Sequence, residues 1–426
     1  MGIKQLMNVI NEKAPESVRK KSLDAYSGKV IACDASMAMY QFLLSTKYTS
    51  GKGLGILTDE TGNPTSHLVG LFNRTVQFIE NGIKPIWVFD GKPPSKKSST
   101  LLHRKSLKKE AYNKLKVTQQ KLSHLKASSG KFKLTKQLKT KVEDIEADFR
   151  DKISKVVGRD IPQIVSEDYE CKGESEIEDL SSFKEVQQII KNVEKKAGQA
   201  KKAQKVAKQT VCITLQMASE AKTMLRLMGV PVIEAPSEAE AQCAELVKTG
   251  KAYAVASEDM DSLCFGAEKL LKGFNNKKEP ILEITLGRVL DQLGFTLAQF
   301  LDFCILLGCD YCDSIKGIGP SNAYKLIQGH FCLEKVIPIV KADVPENFCY
   351  QAARDLFLCP EVIFSGCIQV QWSDPQEPKL KEFLVLQKNF SNSRVETGLA
   401  KIVSSRKKKA QLKLDSFLWT IPKKRA

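Results

Sequence analysis

Three short apolar runs end on an aspartate or just before a group of acids: "KVIACD" closing on Asp34, "PIWVFD" closing on Asp90, and "AYAVAS" running into Glu258, Asp259 and Asp261. Runs this short, rich in Val, Ile and aromatics, read as strands buried on both faces. Between the first two lie the helix-periodic stretches "ASMAMYQFLLS" and "SHLVGLFNRTVQFIENG". Strands alternating with amphipathic helices predict an α/β fold with a central, mostly parallel, doubly wound sheet flanked by helices. In such sheets ligands bind beyond the carboxyl ends of the strands. The acids at those ends are therefore expected to converge on one crevice, although they are far apart in sequence.

Two further acids, Glu238 and Glu240, sit in "APSEAEAQCAEL" at the start of a helix, and Asp310 follows the apolar segment "LDFCILLG". Ser237 is expected to be the N-cap of that helix, with Glu240 completing a capping box. A cap explains one acid and not the whole set. Carboxylates gathered in one cleft repel one another and require a cation. The four histidines, His67, His103, His124 and His330, have no zinc-like spacing, so the cation is expected to be a hard, oxygen-liking Mg²⁺ or Mn²⁺.

The chain of 426 residues carries 66 Lys and Arg against 49 Asp and Glu, a net charge of +17. That surplus favours a polyanionic partner, nucleic acid before membrane. Carboxylates for divalent ions in a basic protein predict phosphodiester hydrolysis with two metals. The start "MGIKQLMNVI" lacks a secretory layout, and no apolar run of membrane-spanning length occurs, which predicts an intracellular protein. Gly2 does not begin a myristoylation motif, because Leu6 stands where Ser or Thr is needed. Twelve scattered cysteines fit reduced, buried thiols. Cys304, Cys309 and Cys312 share the spacing of a plant-type iron–sulfur loop, but "FLDFCILLG" reads as a buried helix instead.

Composition divides the chain. Residues 1–104 are expected to form the N-terminal half of the core and residues 211–395 the second half. Residues 105–210 are expected to form lysine-studded helical runs with a charged, partly disordered insertion rather than a second core. Within this stretch, residues 101–140 hold 12 basic and one acidic residue, and residues 141–180 hold 6 basic and 13 acidic. Residues 396–426 are expected to form an irregular basic tail.

Two local features point at phosphate. "GIGP", with Gly317 and Gly319, turns into the helix "SNAYKLIQ" and offers backbone N–H groups. Lys97 and Arg104, seven residues apart, share a helical face two turns apart and follow "DGKPP" closely enough to lean over Asp90. As cations aimed at the scissile phosphate they would act as transition-state stabilisers.

The motifs "MGI", "CDASMAMYQFL", "NGIKPIWVFDGKPP", "APSEAEAQCAELV", "SEDMDSLCFG" and "LLGCDYCDSIKGIGP" together resemble the flap endonuclease family of structure-specific 5′ nucleases, in its eukaryotic replication form. The resemblance covers about residues 1–110 and 210–420. It implies a PIN-like 5′-nuclease fold with a helical arch and a helix-two-turn-helix. It also implies removal of 5′ flaps, with 5′ to 3′ exonuclease activity, in Okazaki-fragment maturation and long-patch base-excision repair.

Carried over, the metal ligands are Asp34, Asp90, Glu238, Glu240, Asp259, Asp261 and Asp310, holding two Mg²⁺ for which Mn²⁺ can substitute. The catalytic cations are Lys97 and Arg104. DNA contacts fall on Gly2, Tyr40, Lys47, Arg74, Glu238, Gly308, Asp310, Gly317 and Gly319. A K⁺ at the helix-two-turn-helix would be held by Ser314 and Ile315. "QLKLDSFL" resembles a sliding-clamp box, with Gln411, Leu414, Phe417 and Leu418 contacting proliferating cell nuclear antigen; Leu418 replaces its second aromatic. The implied state is a monomer docking on a trimeric clamp, in the nucleus (nucleoplasm and nucleolus), with a mitochondrial pool left open.

The family pattern does not account for the long charged insertion. Two other readings stand beside it: a sister nuclease for bubbles, ends or four-way junctions, and a non-catalytic clamp-tethered scaffold. The second would leave gaps among the seven acids, and none is missing.

Overall fold

The computed structural model describes residues 2–46, 59, 65–94, 97, 106, 109–110, 113, 213–274, 280–340, 344–345 and 348–407. Arg104, Lys47, the acidic stretch at 141–180 and the clamp-box residues Gln411, Leu414, Phe417 and Leu418 lie outside these residues. Contacts divide the chain into a main unit, residues 1–46, 56–101 and 212–426, and a second unit, residues 47–55 and 102–211. All seven predicted acids and Lys97 belong to the main unit.

Seven strands form one mixed sheet among the described residues: β1 (Val18–Lys21), β2 (Val30–Asp34), β3 (Lys84–Phe89), β4 (Val232–Glu234), β5 (Ala254–Ala256), β6 (Lys269–Lys272) and β7 (Ile281–Thr285). Their order is β1-β7-β6-β5-β2-β3-β4. β2 pairs in parallel with both β3 and β5, β3 with β4, and β5 with β6, while β7 runs antiparallel to β6 and β1. The two strands whose carboxyl ends carry Asp34 and Asp90 are thus neighbours, and the strand leading to Asp259 flanks β2 on its other side.

The sheet is covered on both faces, as unbroken apolar strands require. Successive residues of β2 go to opposite sides. Ala32 joins a core with Ile86, Val88, Val255, Leu270 and Ile284, whereas Ile31 and Cys33 join Trp87, Phe89, Ala254, Ala256 and Leu271. The helices on the first face include α1 (Leu6–Lys13). On the second are α2 (Ala35–Thr46), α3 (Ser66–Glu80) and α4 (Leu215–Leu227). α5 (Ala239–Lys248) and the single turn α6 (Asp261–Cys264) return to the first face, followed by α7 (Leu286–Leu293) and α8 (Leu297–Leu307). No single helix among the described residues is long and apolar enough to cross a membrane.

α8 explains where Asp310 falls. Thr296 and Gln299 close a full capping box at its start, with Thr296 Oγ1 accepting from the Gln299 amide at 3.3 Å and Gln299 Oε1 from the Thr296 amide at 2.8 Å. Every residue from Phe300 to Leu307 is buried, and the helix stops at Gly308 with φ +103°. A side chain there would be strained. Cys304 is a core residue of α8, so the iron–sulfur spacing is a coincidence of a buried helix, as the apolar run implies.

α9 (Pro320–His330), α10 (Leu333–Val336), α11 (Tyr350–Leu358), α12 (Glu377–Lys381) and α13 (Asn392–Lys407) complete the unit; α13 buries Leu399 and Ile402, so residues 396–407 are a helix of the core and not the irregular tail expected from their charge. Asp302 of α8 ties this region together: its carboxylate accepts Arg354 Nε and Nη2 at 2.8 and 2.9 Å and the Leu333 amide at 3.0 Å. Arg354 also reaches Glu334 at 2.8 Å, and this hydrogen bond holds the Glu334 carboxyl down at about 2.

His67 is fully buried on α3, beside a network in which Lys388 pairs with Glu220 at 2.7 Å and Asp59 at 3.7 Å. Burial pushes the imidazole down to about 4, although the charge of Glu220 opposes the shift. A folded-state value below the unfolded one gives stability that is complete above about 6.5 and lost as pH falls toward 4. His67→Gln is therefore expected to flatten the fall in stability between roughly pH 7 and pH 5, where the imidazole of the parent chain accounts for about 2 kcal/mol. Urea unfolding at the two pH values measures it, and parallel losses in both proteins would show that the imidazole is not responsible.

Candidate active site

The carboxyl ends of β2, β3 and β5 bring the predicted acids together. Asp34, the last residue of β2, is 2% exposed. Its Oδ1 accepts the Met37 amide and its Oδ2 the Ser257 hydroxyl, both at 2.9 Å. Ser257 Oγ accepts the Asp259 amide at 3.0 Å, Asp259 Oδ1 the Asp261 amide at 3.0 Å, and Asp261 Oδ1 the Ile3 amide at 2.9 Å. A single chain of hydrogen bonds thus runs from β2 through the loop after β5 to the N-terminus. It leaves Gly2, at φ +69°, against Asp259 and Asp261, and a Cβ there would collide with Oδ1 of both.

On the other side, Asp90 follows β3 and its Oδ1 accepts the Ala239 amide at 2.9 Å. This corrects the cap expected from sequence. The N-cap of α5 is Glu238, whose side chain makes no cap hydrogen bond. Ser237 lies one residue before the cap, its backbone carbonyl accepting the Gly91 amide at 2.7 Å. The first turn is capped in trans by Asp90, which frees both Glu238 and Glu240 from capping.

Lys97, expected beside Asp90, makes its ion pairs with Glu238 and Asp310. Its ammonium donates to Glu238 Oε1 and pairs with Asp310 Oδ2 at 3.3 Å, 5.7 Å from the centre of the Tyr311 ring. The Tyr311 hydroxyl donates to the other oxygen, Glu238 Oε2. Sequence reasoning missed Tyr311 and Ser257. Ser257 could have been found as a polar residue in the strand-end run; Tyr311 had no signal beyond adjacency to Asp310.

The electrostatics follow from this crowding. Burial and then the charge of Asp90 push the Asp34 carboxyl up to about 7, against the Met37 and Ser257 hydrogen bonds. Burial, followed by Asp34, Asp90, Asp259 and Glu238, pushes Glu240 well above the carboxylate range, and burial with Asp259 and Asp310 does the same to Asp261. Burial alone would lower Lys97; Glu238 and Asp310 outweigh it and raise the ammonium above its ordinary value. One fixed cation thus faces several buried carboxylates, which resist full ionisation without more positive charge. Among the described residues no three His, Cys, Asp or Glu side chains are drawn together as a ready-made ion cage. The donor set is nonetheless all oxygen, which suits Mg²⁺ or Mn²⁺ rather than zinc.

The other predicted residues fall in different settings. Tyr40 is only partly buried on α2. Arg74 is 4% exposed, donating to Gln77 Oε1 at 3.1 Å with its guanidinium 5.8 Å from the Phe78 ring centre; that is a buried position, and burial lowers the guanidinium to about 10. Gly317, at φ +80°, and Gly319, the N-cap of α9, are exposed. Ile315 is buried, and Ser314 Oγ accepts from Lys4 Nζ at 3.3 Å while the Lys4 amide donates to the Gly308 carbonyl at 3.1 Å.

Residues 1–111 match the XPG N-terminal domain and residues 229–310 the XPG I-region. The chain is 40% identical over 431 residues to flap endonuclease 1-1 of Paramecium tetraurelia, covering 98% of this chain and 91% of that one. The solved flap endonuclease-1 of Methanococcus jannaschii is 26% identical with a TM-score of 0.59, covering 93% of this chain and 98% of that one. The Holliday junction-resolving enzyme GEN1, solved with product DNA and a Mg²⁺ ion, shares the fold at 16% identity and a TM-score of 0.51, covering 94% and 77%.

Tyr311→Phe removes the donor that orients Glu238. It is expected to weaken Mg²⁺ binding by about tenfold, as loss of a group that orients a ligand does, with little change in melting temperature. Titration calorimetry with MgCl₂ checks this, and unchanged affinity would separate Tyr311 from the ion site.

Proposed function

We propose, because the chain belongs to the flap endonuclease 1 family of DNA nucleases, that it cuts 5′ flaps from branched DNA and trims 5′ ends by phosphodiester hydrolysis. Its work would be the maturation of Okazaki fragments and long-patch base-excision repair in the nucleus, with a mitochondrial pool as a further proposal that cell fractionation tests. The observation that carries the reading is the gathering of the acids Asp34, Asp90, Asp259, Asp261, Glu238, Glu240 and Asp310 at the carboxyl ends of β2, β3 and β5, with the ammonium of Lys97 between Glu238 and Asp310.

The acids that would hold divalent cations are Asp34, Asp90, Glu238, Glu240, Asp259, Asp261 and Asp310, with two Mg²⁺ as the proposed complement. When bound, the ions supply an activated water and charge stabilisation for the leaving oxygen. The chain's own residues do the rest. Asp90 fixes the start of α5 and so the placement of Glu238 and Glu240. Ser257 and the Ile3 amide hold the carboxylates of Asp34 and Asp261 in place. Lys97, between Glu238 and Asp310, would stand beside the scissile phosphate, where a cation stabilises developing negative charge. Arg104 is proposed to join it. The exposed amides around Gly317 and Gly319 suit a duplex phosphate, with a K⁺ at Ser314 and Ile315 as the proposed bridge.

For the carboxylates, Asp259→Ala is expected to slow cleavage of a labelled double-flap substrate in Mg²⁺ by about a hundredfold or more. Flap binding in Ca²⁺ and the melting temperature should hold, since one source of like-charge repulsion is removed with the acceptor. Cleavage near the parent rate would refute the assignment, and preference for four-way junctions over flaps would move the chain to a sister activity.

For the tail, docking on the sliding clamp through Gln411, Leu414, Phe417 and Leu418 rests on sequence likeness. Phe417→Ala is expected to leave cleavage of free flap DNA unchanged and to weaken clamp binding by about tenfold or more, because an aromatic anchor dominates so small an interface. Calorimetry with the clamp decides it, and equal affinity would refute docking through this segment.

A further inference from the structure

The amino ends of the strands carry a second arrangement, built from cations. Lys29 precedes β2, Lys84 opens β3, Tyr253 precedes β5 and Lys269 opens β6. β6, β5, β2 and β3 are consecutive in the sheet and parallel to one another, so the four residues form a row across one end of it, on strands about 4.8 Å apart. Backbone pairing fixes the row: the Lys84 amide donates to the Lys29 carbonyl at 2.9 Å, and the Tyr253 amide to the Val30 carbonyl at 2.8 Å. Lys29 precedes β2 and Asp34 closes it. Extended chain at about 3.3 Å per residue therefore sets the row about 16 Å from the acids.

Ammonium groups and rings alternate along this row. Lys29 Nζ and Lys269 Nζ lie 5.0 and 4.7 Å from the centre of the Tyr253 ring. Lys84 Nζ lies 5.8 Å from the centre of the Trp372 ring, whose Nε1 donates to the Pro85 carbonyl at 3.1 Å. Lys251 adds a fourth cation, its ammonium donating to the Ile368 carbonyl at 2.5 Å. Among the described residues none of these four lysines pairs with a carboxylate. Glu283, 3.5 Å from the Tyr253 hydroxyl, is buried and paired with Lys21 at 2.8 Å. Glu268 adjoins Lys269, but its Oε1 lies 3.5 Å from where a Cβ on Gly287 would stand. A ring holds an ammonium in place without neutralising it, so the row keeps its charge. Lys29 and Lys84 are exposed, and Lys251, Tyr253, Lys269 and Trp372 are half-buried. Nothing in the proposed hydrolysis uses any of them.

We propose that this row is a second nucleic-acid site, which takes the phosphodiester backbone of a strand laid across the amino ends of β6, β5, β2 and β3. Contacts of ammonium to phosphate position a strand and carry no sequence information. The net charge of +17 favours a polyanion. A charged track beside an aromatic ring suits nucleic acid over an acidic peptide, because a base has a flat face to lay on the half-buried Trp372 and a carboxylate side chain has none. A strand held here lies at the opposite end of the sheet from the acids, so it is gripped and not cut.

The test gives the full chain, free of divalent ions, an unbranched single-stranded oligonucleotide, a blunt duplex or polyglutamate. Brief acetylation of surface lysines with mass mapping reads the row directly. Nucleic acid is expected to slow acetylation of Lys29, Lys84 and Lys269 by about fivefold or more at low salt. The combined variant Lys29→Gln, Lys84→Gln and Lys269→Gln should bind about tenfold more weakly at low salt. Its slope of log affinity against log salt should be shallower by about 2 for the single strand or about 3 for the duplex, at about 0.7 or 0.9 per phosphate contact. The form of nucleic acid that loses more is the one the row takes. Flap cleavage by the variant should match the parent, because none of the three lysines meets the acids. If the variant fails to fold, the acetylation map of the parent chain still decides. Three results would overturn the site: equal acetylation with and without nucleic acid, a variant with the parent's affinity and slope, or stronger protection by polyglutamate than by either nucleic acid, which would make the row a face for an acidic peptide.

Discussion

Repulsion among buried carboxylates is the interaction on which the rest of this molecule depends. Asp34, Glu238, Asp259, Asp261 and Asp310 are each at most 9% exposed, and burying charge of one sign costs free energy unless hydrogen bonds or counter-charges offset it. The fold meets that cost locally. Asp34 takes a backbone amide and a hydroxyl, Asp259 and Asp261 take amides, Asp90 takes the first free amide of α5, and Lys97 is held between Glu238 and Asp310. Each device is also a positional constraint. The hydrogen bonds that make the cluster tolerable are the same ones that fix where its oxygens lie.

The scaffold can carry this strain because the sheet is sandwiched between two apolar layers. The first packs Ala32, Ile86, Val88 and Val255 against α5 and α8, and the second packs Ile31, Cys33, Trp87 and Phe89 against α2, α3 and α4. Site and stability therefore divide along each strand, with apolar residues in the body and the acid at the tip. Asp302 repeats the pattern on a smaller scale. It is a buried carboxylate, and Arg354 with the Leu333 amide compensates it. There one guanidinium pairs with one carboxylate, and the group is structural. Around Lys97 compensation is partial, and the surplus negative charge is what the site has to offer a cation.

How much of this is legible in sequence depends on whether the signal is local. The strand-end acids are legible because strand runs are short, apolar and terminated, and because parallel strands put their tips together whatever the loops do. The cap of α5 is misread for the converse reason. "PSEAE" contains every local element of a capping box, but Asp90 reaches the Ala239 amide from 149 positions away, and local propensity yields to a tertiary contact. Lys97 makes its ion pairs with Glu238 and Asp310, partners that its helical spacing could not name, since such a spacing gives a face but not a partner. Tyr311 and Ser257 escape because a hydroxyl's hydrogen-bond partner is set by three-dimensional proximity alone.

Arg74 marks the boundary between resemblance and geometry. Family likeness makes it a DNA contact, while here its guanidinium is buried against Phe78 and Gln77. A buried guanidinium has lost its water, so it could meet a phosphate only if the phosphate were brought to it or if α3 gave way. The thiols of the Asp310 turn show the other side of the same boundary. They belong to no catalytic motif, yet they sit in the loop whose two central residues meet both Lys97 and Glu238. A residue acquires influence over chemistry here by where its backbone is held, and the turn from Gly308 to Cys312 is held at one end by a buried capped helix and at the other by the packing of α11. What moves either anchor therefore reaches Asp310 and Tyr311 through the backbone between them.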